Sequence, residues 1–325
     1  MAVLYTIQLI CAGVVHVAGL NKQGAVIGAL HTPALKSGAF FHDGMTLHHL
    51  GTLGGENSAA KDINDAGIVV GWAETAGGLR HAFIYDGSAL RDVGRDWCDQ
   101  QSSAIAINSQ GVVIGSRAST PSTLFFCSLI SAPRAISDAN PNFTPLRMNT
   151  VGLVVGSLRD AGGEHVPASW REGQVVMPLG SVGQRGVAMA LNDKEVVVGW
   201  SSDKEGGEHG FLHSAGKMVP LRGLRAGYDS LASDINQQGA VVGLGYLPGD
   251  NWDGSGRYNA YNRHAVLWSG TVPLDLNAAI DAASGWLLQE AAAINEHGQI
   301  AGIGLHGGQR SAYLLTPITA MPATI

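Results

Sequence analysis

One short motif recurs seven times along the chain, and this repetition limits the fold more than any other property of the sequence. Each copy has an Asn, a short turn and a run of mostly aliphatic residues that ends in Gly. The copies read GLNKQGAVIGA, DINDAGIVVGW, AINSQGVVIGS, RMNTVGLVVGS, ALNDKEVVVGW, DINQQGAVVGL and AINEHGQIAGI. Such regularity predicts one structural unit used seven times.

The spacing of the marker residues gives the size of that unit. Successive markers are separated by 43, 44, 41, 43, 44 and 59 residues; they are Asn21, Asn64, Asn108, Asn149, Asn192, Asn236 and Asn295. A Gly follows each marker by seven residues, at Gly28, Gly71, Gly115, Gly156, Gly199, Gly243 and Gly302. Units of roughly 44 residues have the size of a propeller blade.

The second half of each unit completes four strands. After a variable polar loop comes a short apolar run, such as HAFIYDG at 81–87 or HAVLWSG at 264–270, then a Gly turn and one more apolar segment. Asn-x-x-Gly and Asp-Gly are hairpin turns, because these residues tolerate positive φ. We therefore predict an all-β fold, a seven-bladed β-propeller of four-stranded antiparallel blades with strands A to D.

The two ends of the chain predict how the ring closes. In blade one we place strands A to D at 14–20, 24–30, 37–42 and 45–50. The last unit supplies strands at 289–295, 299–305 and 310–315 and then runs out. The segment YTIQLI, within 3–10, matches a D strand and would complete blade seven, which removes an exposed sheet edge. This predicts a single propeller over 1–317 and a tail at 318–325.

Composition excludes some classes of function. The net charge is −6, the isoelectric point is about 6.0 and no basic stripe is present, so no nucleic acid is expected as a partner. The three cysteines are irregularly spaced and indicate no disulfide framework. The apolar N-terminus lacks a basic leader, and the repeat accounts for it. We expect a cytoplasmic protein that does not associate with membranes.

These motifs resemble the HAF repeat family, whose name corresponds here to His81-Ala82-Phe83. The resemblance covers essentially the whole chain and is strongest at 50–64 and 284–304. Members are often described as probable extracellular repeat proteins and have no common assigned activity. The resemblance therefore implies a propeller type of fold and no particular function.

Residues that recur in every unit are expected to serve the scaffold. The repeated Asn and Gly are interpreted as turn and packing residues. A His begins strand C in several blades, at His81, His165, His209 and His264. Copies in different blades cannot converge on one metal ion, so hydrogen bonds within each blade are the better interpretation.

A functional site should instead use residues that the repeat does not explain. The D–A and B–C loops share the face on which the channel opens. Near the seam between blades seven and one, the candidate catalytic residues, beside Cys11, are His16, His31, Glu290 and His306. Of these, the three histidines are also candidate ligands for a divalent metal ion, the one cofactor that the sequence suggests. The alternative is that all are solvated loop residues.

A second set of residues is suited to holding a ligand. Arg117 and Arg159, with Arg185 nearby, could clamp a carboxylate or phosphate, and Trp72 and Trp200 could flank a planar molecule. Ordinary loop charges and blade-packing tryptophans are the alternatives. The insertion at 245–263 carries aromatic residues and could form a lid; its DNWDGSG lacks the closing acidic ligand of a calcium loop. The candidate ligand-binding residues are Trp72, Glu74, Arg117, Arg159, Trp200, Tyr246, Trp252 and Tyr258.

Two functions from different classes fit this sequence. The first is a cytoplasmic enzyme, of lyase, cyclase or hydrolase type, that acts on a small polar or planar molecule at the channel mouth. The alternative is a non-catalytic module that binds a protein partner or a carbohydrate on the same face.

Overall fold

The computed structural model describes residues 4–31, 36–95, 100–119, 122–136, 140–180, 183, 185–248 and 263–318. These residues form seven antiparallel sheets of four strands each, arranged as the blades of a ring. The all-β, seven-bladed propeller predicted from the repeat is confirmed. Within the described residues, no helix is long and apolar enough to cross a membrane.

The strands follow the repeat in chain order. β1 (Tyr5–Ala12) precedes blade one, which holds β2 (Val14–Leu20), β3 (Val26–Leu30), β4 (Gly38–His42) and β5 (Leu47–Gly51). Blade two holds β6 (Gly54–Ile63), β7 (Val69–Thr75), β8 (Arg80–Tyr85) and β9 (Leu90–Asp92). Blade three holds β10 (Ser102–Ile107), β11 (Val113–Arg117), β12 (Thr123–Cys127) and β13 (Arg134–Ala135). Blade four holds β14 (Phe143–Met148), β15 (Val154–Arg159), β16 (His165–Trp170) and β17 (Met177–Pro178).

The remaining blades continue this order. Blade five holds β18 (Gly186–Leu191), β19 (Val197–Ser202), β20 (Glu208–Ser214) and β21 (Lys217–Pro220). Blade six holds β22 (Ser230–Ile235), β23 (Val241–Tyr246), β24 (Arg263–Ser269) and β25 (Val272–Asp275). Short 3₁₀ turns at Leu276–Ala278 and Ala282–Ser284 lead to blade seven, which holds β26 (Trp286–Ile294), β27 (Ile300–His306) and β28 (Gln309–Pro317).

The N-terminal strand β1 closes the ring. It pairs antiparallel with β28, from Tyr5 opposite Pro317 to Ala12 opposite Ser311, so blade seven takes its outer strand from the start of the chain. Just beyond the strands, the N–H of Ile318 donates to the carbonyl of Leu4 at 3.0 Å. The closure expected from YTIQLI is confirmed, and residues 319–325 of the expected tail lie outside the described residues.

The repeated Asn side chains form a closed ring of hydrogen bonds between blades. Each Nδ2 donates to the backbone carbonyl of the Asn in the next blade, at 2.9 to 3.5 Å, and Asn295 completes the circle by donating to Asn21. The Oδ1 atom caps its own turn; that of Asn108 accepts from the N–H groups of Gln110 and Val112. The turn role is confirmed, and the structure adds the link from blade to blade.

The repeated Gly lets strand B approach strand A closely. A Cβ placed at any of the seven glycines would lie between 1.9 and 2.6 Å from a strand A carbonyl oxygen; at Gly156 that oxygen belongs to Thr144. Any side chain there would require the backbone to move. Strand C aromatic rings such as Phe83 cover the same position. The packing role of the repeated Gly is therefore confirmed.

The histidines at the start of strand C make hydrogen bonds inside their own blades. His81 bonds Asp92 at 3.0 Å and His264 bonds Asp275 at 2.6 Å, in each case joining strands C and D. His209 bonds Asp203 at 2.8 Å, and His165 bonds Ser157 at 3.1 Å. The interpretation of these histidines as scaffold is confirmed.

Candidate functional site

The first strands of the blades surround the channel. These strands (β2, β6, β10, β14, β18, β22 and β26) contact one another all the way round, so they are the innermost strands. Each has a register shift that leaves one extra residue three positions before the repeated Asn. In blade two that residue is Lys61. Bulges of this kind redirect side chains.

Three charged residues at one repeated position meet in the channel. The position lies two residues before the Asn and holds Asp62 in blade two, Arg147 in blade four and Asp234 in blade six. The Arg147 guanidinium crosses the ring, because its Nη2 donates at 2.8 Å to the carbonyl of Ala18 in blade one. Gly19 occupies the same position in blade one, and a Cβ there would lie 3.2 Å from the side chain of Ile63. Arg147 therefore spans the channel near the end that carries the Asn ring.

The two carboxylates beside Arg147 hold neighbouring blades together. Asp62 accepts from the N–H of Ile107 in blade three, and Asp234 accepts from that of Ile294 in blade seven, both at 2.9 Å. Burial raises the pKa of both carboxyls, that of Asp234 to about 6, while these hydrogen bonds and the charge of Arg147 oppose the rise. This group belongs to the scaffold of the channel.

The seam residues predicted from the sequence occupy different surroundings. His16 and Glu290 stand at the same position of β2 and β26, five residues before the Asn, in adjacent blades. His31 is exposed and its Nδ1 contacts the carbonyl of Lys36. The ring of His306 stacks on Trp286, with 4.7 Å between centroids.

The proposed metal ligands do not come together. Across the described parts of the chain, no three His, Cys, Asp or Glu side chains form a group that could hold a metal ion. His16, His31 and His306 therefore form no preformed metal site, because His31 and His306 each turn to a different local partner. Cys11, on β1, lies in the core, where burial raises the pKa of its thiol to about 11.

His16 is a neutral imidazole at physiological pH. Burial, together with the nearby charges of Lys61 and Arg310, lowers its pKa to about 4, although a backbone hydrogen bond with Ala60 opposes the change. Its Nε2 is buried and has no hydrogen-bond partner among the described residues. In this conformation the free nitrogen does not reach solvent.

A cavity of about 290 Å³ opens between blades two and three on the face of the D–A and B–C loops. Its described lining consists of Lys61, Trp72, Arg80, Gln101, Ser102, Ser103, Ser116, Ala118 and Ser122. The Arg80 guanidinium lies over the Trp72 ring, 4.3 Å from its centroid, in a cation–π contact. Trp72 thus belongs to a cavity wall, on the face where the sequence placed the site.

The described lining of this cavity carries positive charge only. None of the described lining residues is acidic, whereas Lys61 and Arg80 are cations. Burial, followed by the charges of Arg147 and Arg80, lowers the pKa of Lys61. Among the ion pairs of the described residues, none involves Lys61. A half-buried ammonium with no counter-ion in the described part of the chain, surrounded by hydroxyl and amide groups, is suited to an anion.

The predicted arginine clamp is not assembled in this structure. Arg159 is exposed and its Nε donates to the carbonyl of Gly163 in its own turn at 3.2 Å. Arg185 pairs with Glu208 at 3.2 Å. Arg117 ends β11 opposite Thr123.

The other predicted ligand residues are spread around the same face. Glu74 accepts from Asn57 Nδ2 at 2.9 Å and so holds the start of strand A in blade two. Trp200 occupies in blade five the position of Trp72 in blade two. Tyr246 ends β23, and burial raises the pKa of its phenol. Trp252 and Tyr258, with the rest of the expected lid, lie outside the described residues.

The sequence contained a signal for Lys61 that the repeat comparison did not use. Six blades place an uncharged residue three positions before the Asn, and blade two alone places a Lys there. At the next position, two residues before the Asn, three blades hold Asp62, Arg147 and Asp234, whereas the other four hold Gly or Ala. A charge that breaks a repeated position on the innermost strand marks the channel. Arg80, the first residue of β8, follows a variable loop and carried no such signal.

Comparisons with known proteins support the fold. No protein-family model matches the chain, and no curated protein matches it in sequence. Among solved structures, the β-propeller domain of the Trilobed protease from Pyrococcus furiosus is similar with a TM-score of 0.60 and 8% identity, over 93% of this chain and 97% of that one. The acylaminoacyl peptidase of Pyrococcus horikoshii gives 0.56 and 10%, over 98% and 53%.

TolB from Acinetobacter baumannii is also similar, with a TM-score of 0.51 and 10% identity. The match covers 91% of this chain, which spans 64% of the TolB chain. Identities this low carry the fold and no activity. The chain is a seven-bladed β-propeller closed by its own N-terminal strand.

Proposed function

We propose that this propeller acts on a small organic anion, which binds on the face of the D–A and B–C loops in the cavity between blades two and three. The observation that carries the proposal is the Lys61 ammonium, which has no ion pair among the described residues and lines a cavity whose described walls include Arg80 and four serines but no acid. An anionic ligand would supply the missing counter-charge and accept hydrogen bonds from the hydroxyls. The proposal thus narrows the ligand expected from the sequence, a small polar or planar molecule, to an anion.

Trp72 adds a flat surface to this proposal. Its ring forms a wall of the cavity and already carries the Arg80 guanidinium on one face. Ligand contact at Arg80 or Trp72 would change the environment of the indole. Binding can therefore be followed by tryptophan fluorescence as well as by calorimetry.

The same cavity offers one group that could take part in chemistry on a bound anion. Lys61, with its lowered pKa, is the group best placed to exchange a proton with a ligand in this cavity. His16 is neutral near pH 7, but its free Nε2 is buried. A lyase, cyclase or hydrolase activity, membership of the HAF repeat family and a cytoplasmic location remain predictions from the sequence.

The test compares matched ligands and matched variants. Succinate should bind the purified protein and succinamide, its neutral analogue, should not. Lys61→Met should weaken succinate binding about 10- to 100-fold, the worth of one charge-assisted hydrogen bond. Lys217→Met, which removes an exposed lysine from β21 of blade five, should leave it unchanged. The proposal fails if a panel of carboxylates and phosphate does not bind, or if Lys61→Met binds them like the parent protein.

A further inference from the structure

The walls of the axial channel differ from one side to the other. Each innermost strand turns two residues toward the channel, five and three positions before the repeated Asn, and all but Ala59 are at least partly exposed. The upper ring, five positions before the Asn, is His16, Ala59, Ser103, Thr144, Val187, Leu231 and Glu290. The lower ring, three positions before it, is Ala18, Lys61, Ile105, Leu146, Met189, Ser233 and Ala292.

The titratable members of these rings lie together in three consecutive blades. Glu290, His16 and Lys61 belong to blades seven, one and two. Blades three to six contribute no charged residue to either ring, and five of their eight members are apolar: Ile105, Leu146, Val187, Met189 and Leu231. We call these five residues the apolar wall.

Lys61 stands at the boundary between the two sectors. It lines the anion cavity on one side and belongs to the lower ring on the other. Ile105 is its equivalent in the next blade, and Leu146 and Met189 follow in blades four and five. The neighbour of Lys61 along the lower ring is therefore Ile105, the first residue of the apolar wall.

Arg147 limits the depth of this space. Arg147 stands one residue closer to the Asn ring than the lower ring does, and its guanidinium crosses from blade four to the carbonyl of Ala18, a lower-ring residue of blade one. A ligand that enters from the face of the D–A and B–C loops would meet Arg147 at the far side of the two rings. The space above Arg147 thus has a cationic edge at Lys61 and an apolar side from Ile105 to Leu231.

We propose that the anion has an apolar body, and that it is an amphipathic carboxylate whose acid group binds at Lys61 while its hydrocarbon part lies against the apolar wall. This inference rests on the proposed function, because it assigns a ligand class to the same site. Partly exposed apolar side chains that line a confined space gain most from a ligand that removes them from water. A purely polar anion would leave the apolar wall hydrated.

The experiment uses a homologous series of carboxylates, acetate, butyrate, hexanoate and octanoate, titrated into the full-length protein by calorimetry. If the hydrocarbon part is buried, affinity should rise about three- to fourfold for each added methylene group. Met189→Gln, which places a polar amide in the apolar wall, should flatten this rise and leave acetate binding unchanged. Met45→Gln, at an exposed methionine in a blade-one turn, should reproduce the parent series. Leu146→Gln provides a second wall variant if Met189→Gln does not fold.

The outcomes separate the two proposals. If acetate binds through Lys61 but affinity is flat along the series, the amphipathic ligand is refuted and the anion site stands. A rise that persists in both folded wall variants also refutes it, since the hydrocarbon part then lies elsewhere. If neither short nor long acids bind, while phosphate and succinate also fail, the anion site itself is wrong.

Discussion

The ring of Asn side chains makes a quantitative prediction about stability. Asn192 is only 2% exposed, and its side chain makes three hydrogen bonds: Nδ2 to the carbonyl of Asn236 at 3.1 Å, and Oδ1 from the N–H groups of Lys194 and Val196 at 3.0 and 3.1 Å. Asn192→Ala removes all three. At about 0.5–1.5 kcal/mol of net stability for each bond, the free energy of unfolding should fall by about 2–4 kcal/mol.

The assay is urea denaturation followed by far-UV circular dichroism, with thermal melting as a second measure. For a 325-residue chain the unfolding entropy is about 0.7 kcal/mol/K, so a loss of about 3 kcal/mol should lower the melting temperature by roughly 4 °C. Asn142→Ala, at an exposed residue before β14, is the control and should change stability by less than about 0.5 kcal/mol.

A second substitution separates the turn from the link between blades. Asn192→Asp keeps an oxygen that can accept from Lys194 and Val196, but it replaces the donor Nδ2 with an oxygen facing the carbonyl of Asn236. It should therefore also destabilise the protein. The reasoning is refuted if Asn192→Asp matches the parent protein, or if Asn192→Ala is no more destabilising than Asn142→Ala.

Two further predictions concern the repeated Gly and the channel. Gly156→Ala should cost about 2–3 kcal/mol, because its Cβ would lie 1.9 Å from the Thr144 carbonyl oxygen. Gly162→Ala should be tolerated, because its Cβ would lie 3.3 Å from its nearest neighbour, the carboxylate of the exposed Asp160; equal melting temperatures would contradict this. Arg147→Met should destabilise the protein by about 1–3 kcal/mol, and more near pH 8 than near pH 5. The pKa values of Asp62 and Asp234 are higher in the folded than in the unfolded state. The free-energy cost of ionising these carboxyls in the folded protein is therefore absent in acid and appears as the pH rises through the folded-state pKa, about 6 for Asp234. Losing Arg147 raises both pKa values and increases that cost. The measurement is urea unfolding at the two pH values, with Arg225→Met, at an exposed arginine, as the control. If the loss of unfolding free energy in Arg147→Met is the same at both pH values, Arg147 does not shield these carboxylates.

The fold followed from the sequence because its determinants repeat. Seven copies of the Asn turn and the close-packed Gly set the number of blades, and the unpaired last unit pointed to β1 as the closing strand. Each of these features depends on local chemistry, turn formation or the absence of a Cβ, which a sequence shows directly. What the repeat could not show was that the Asn amide reaches the next blade.

The candidate site was predicted less well, for a geometric reason. Sequence spacing placed residues on one face of the ring but gave no information on where their side chains turn, so His31 and His306 were grouped although each contacts a local partner. The bulge that directs Lys61 into the channel is a change of register, which appears only when two strands are paired. Trp72, the residue after the repeated Gly, lines the cavity from within β7, and its role as a ligand-binding residue stays a prediction.

The pairing of β1 with β28 links the order of synthesis to the order of assembly. β1 is synthesised long before its partner, since Tyr5 lies opposite Pro317, about 310 residues later in the chain. Until that partner is made, Tyr5 and Ile10, both buried in the finished ring, have no sheet to join, and contacts this distant in sequence form slowly. A premature stop that removes only β28 would therefore also deprive β1 of its partner, so that a lesion of a few residues at one end opens the ring at both.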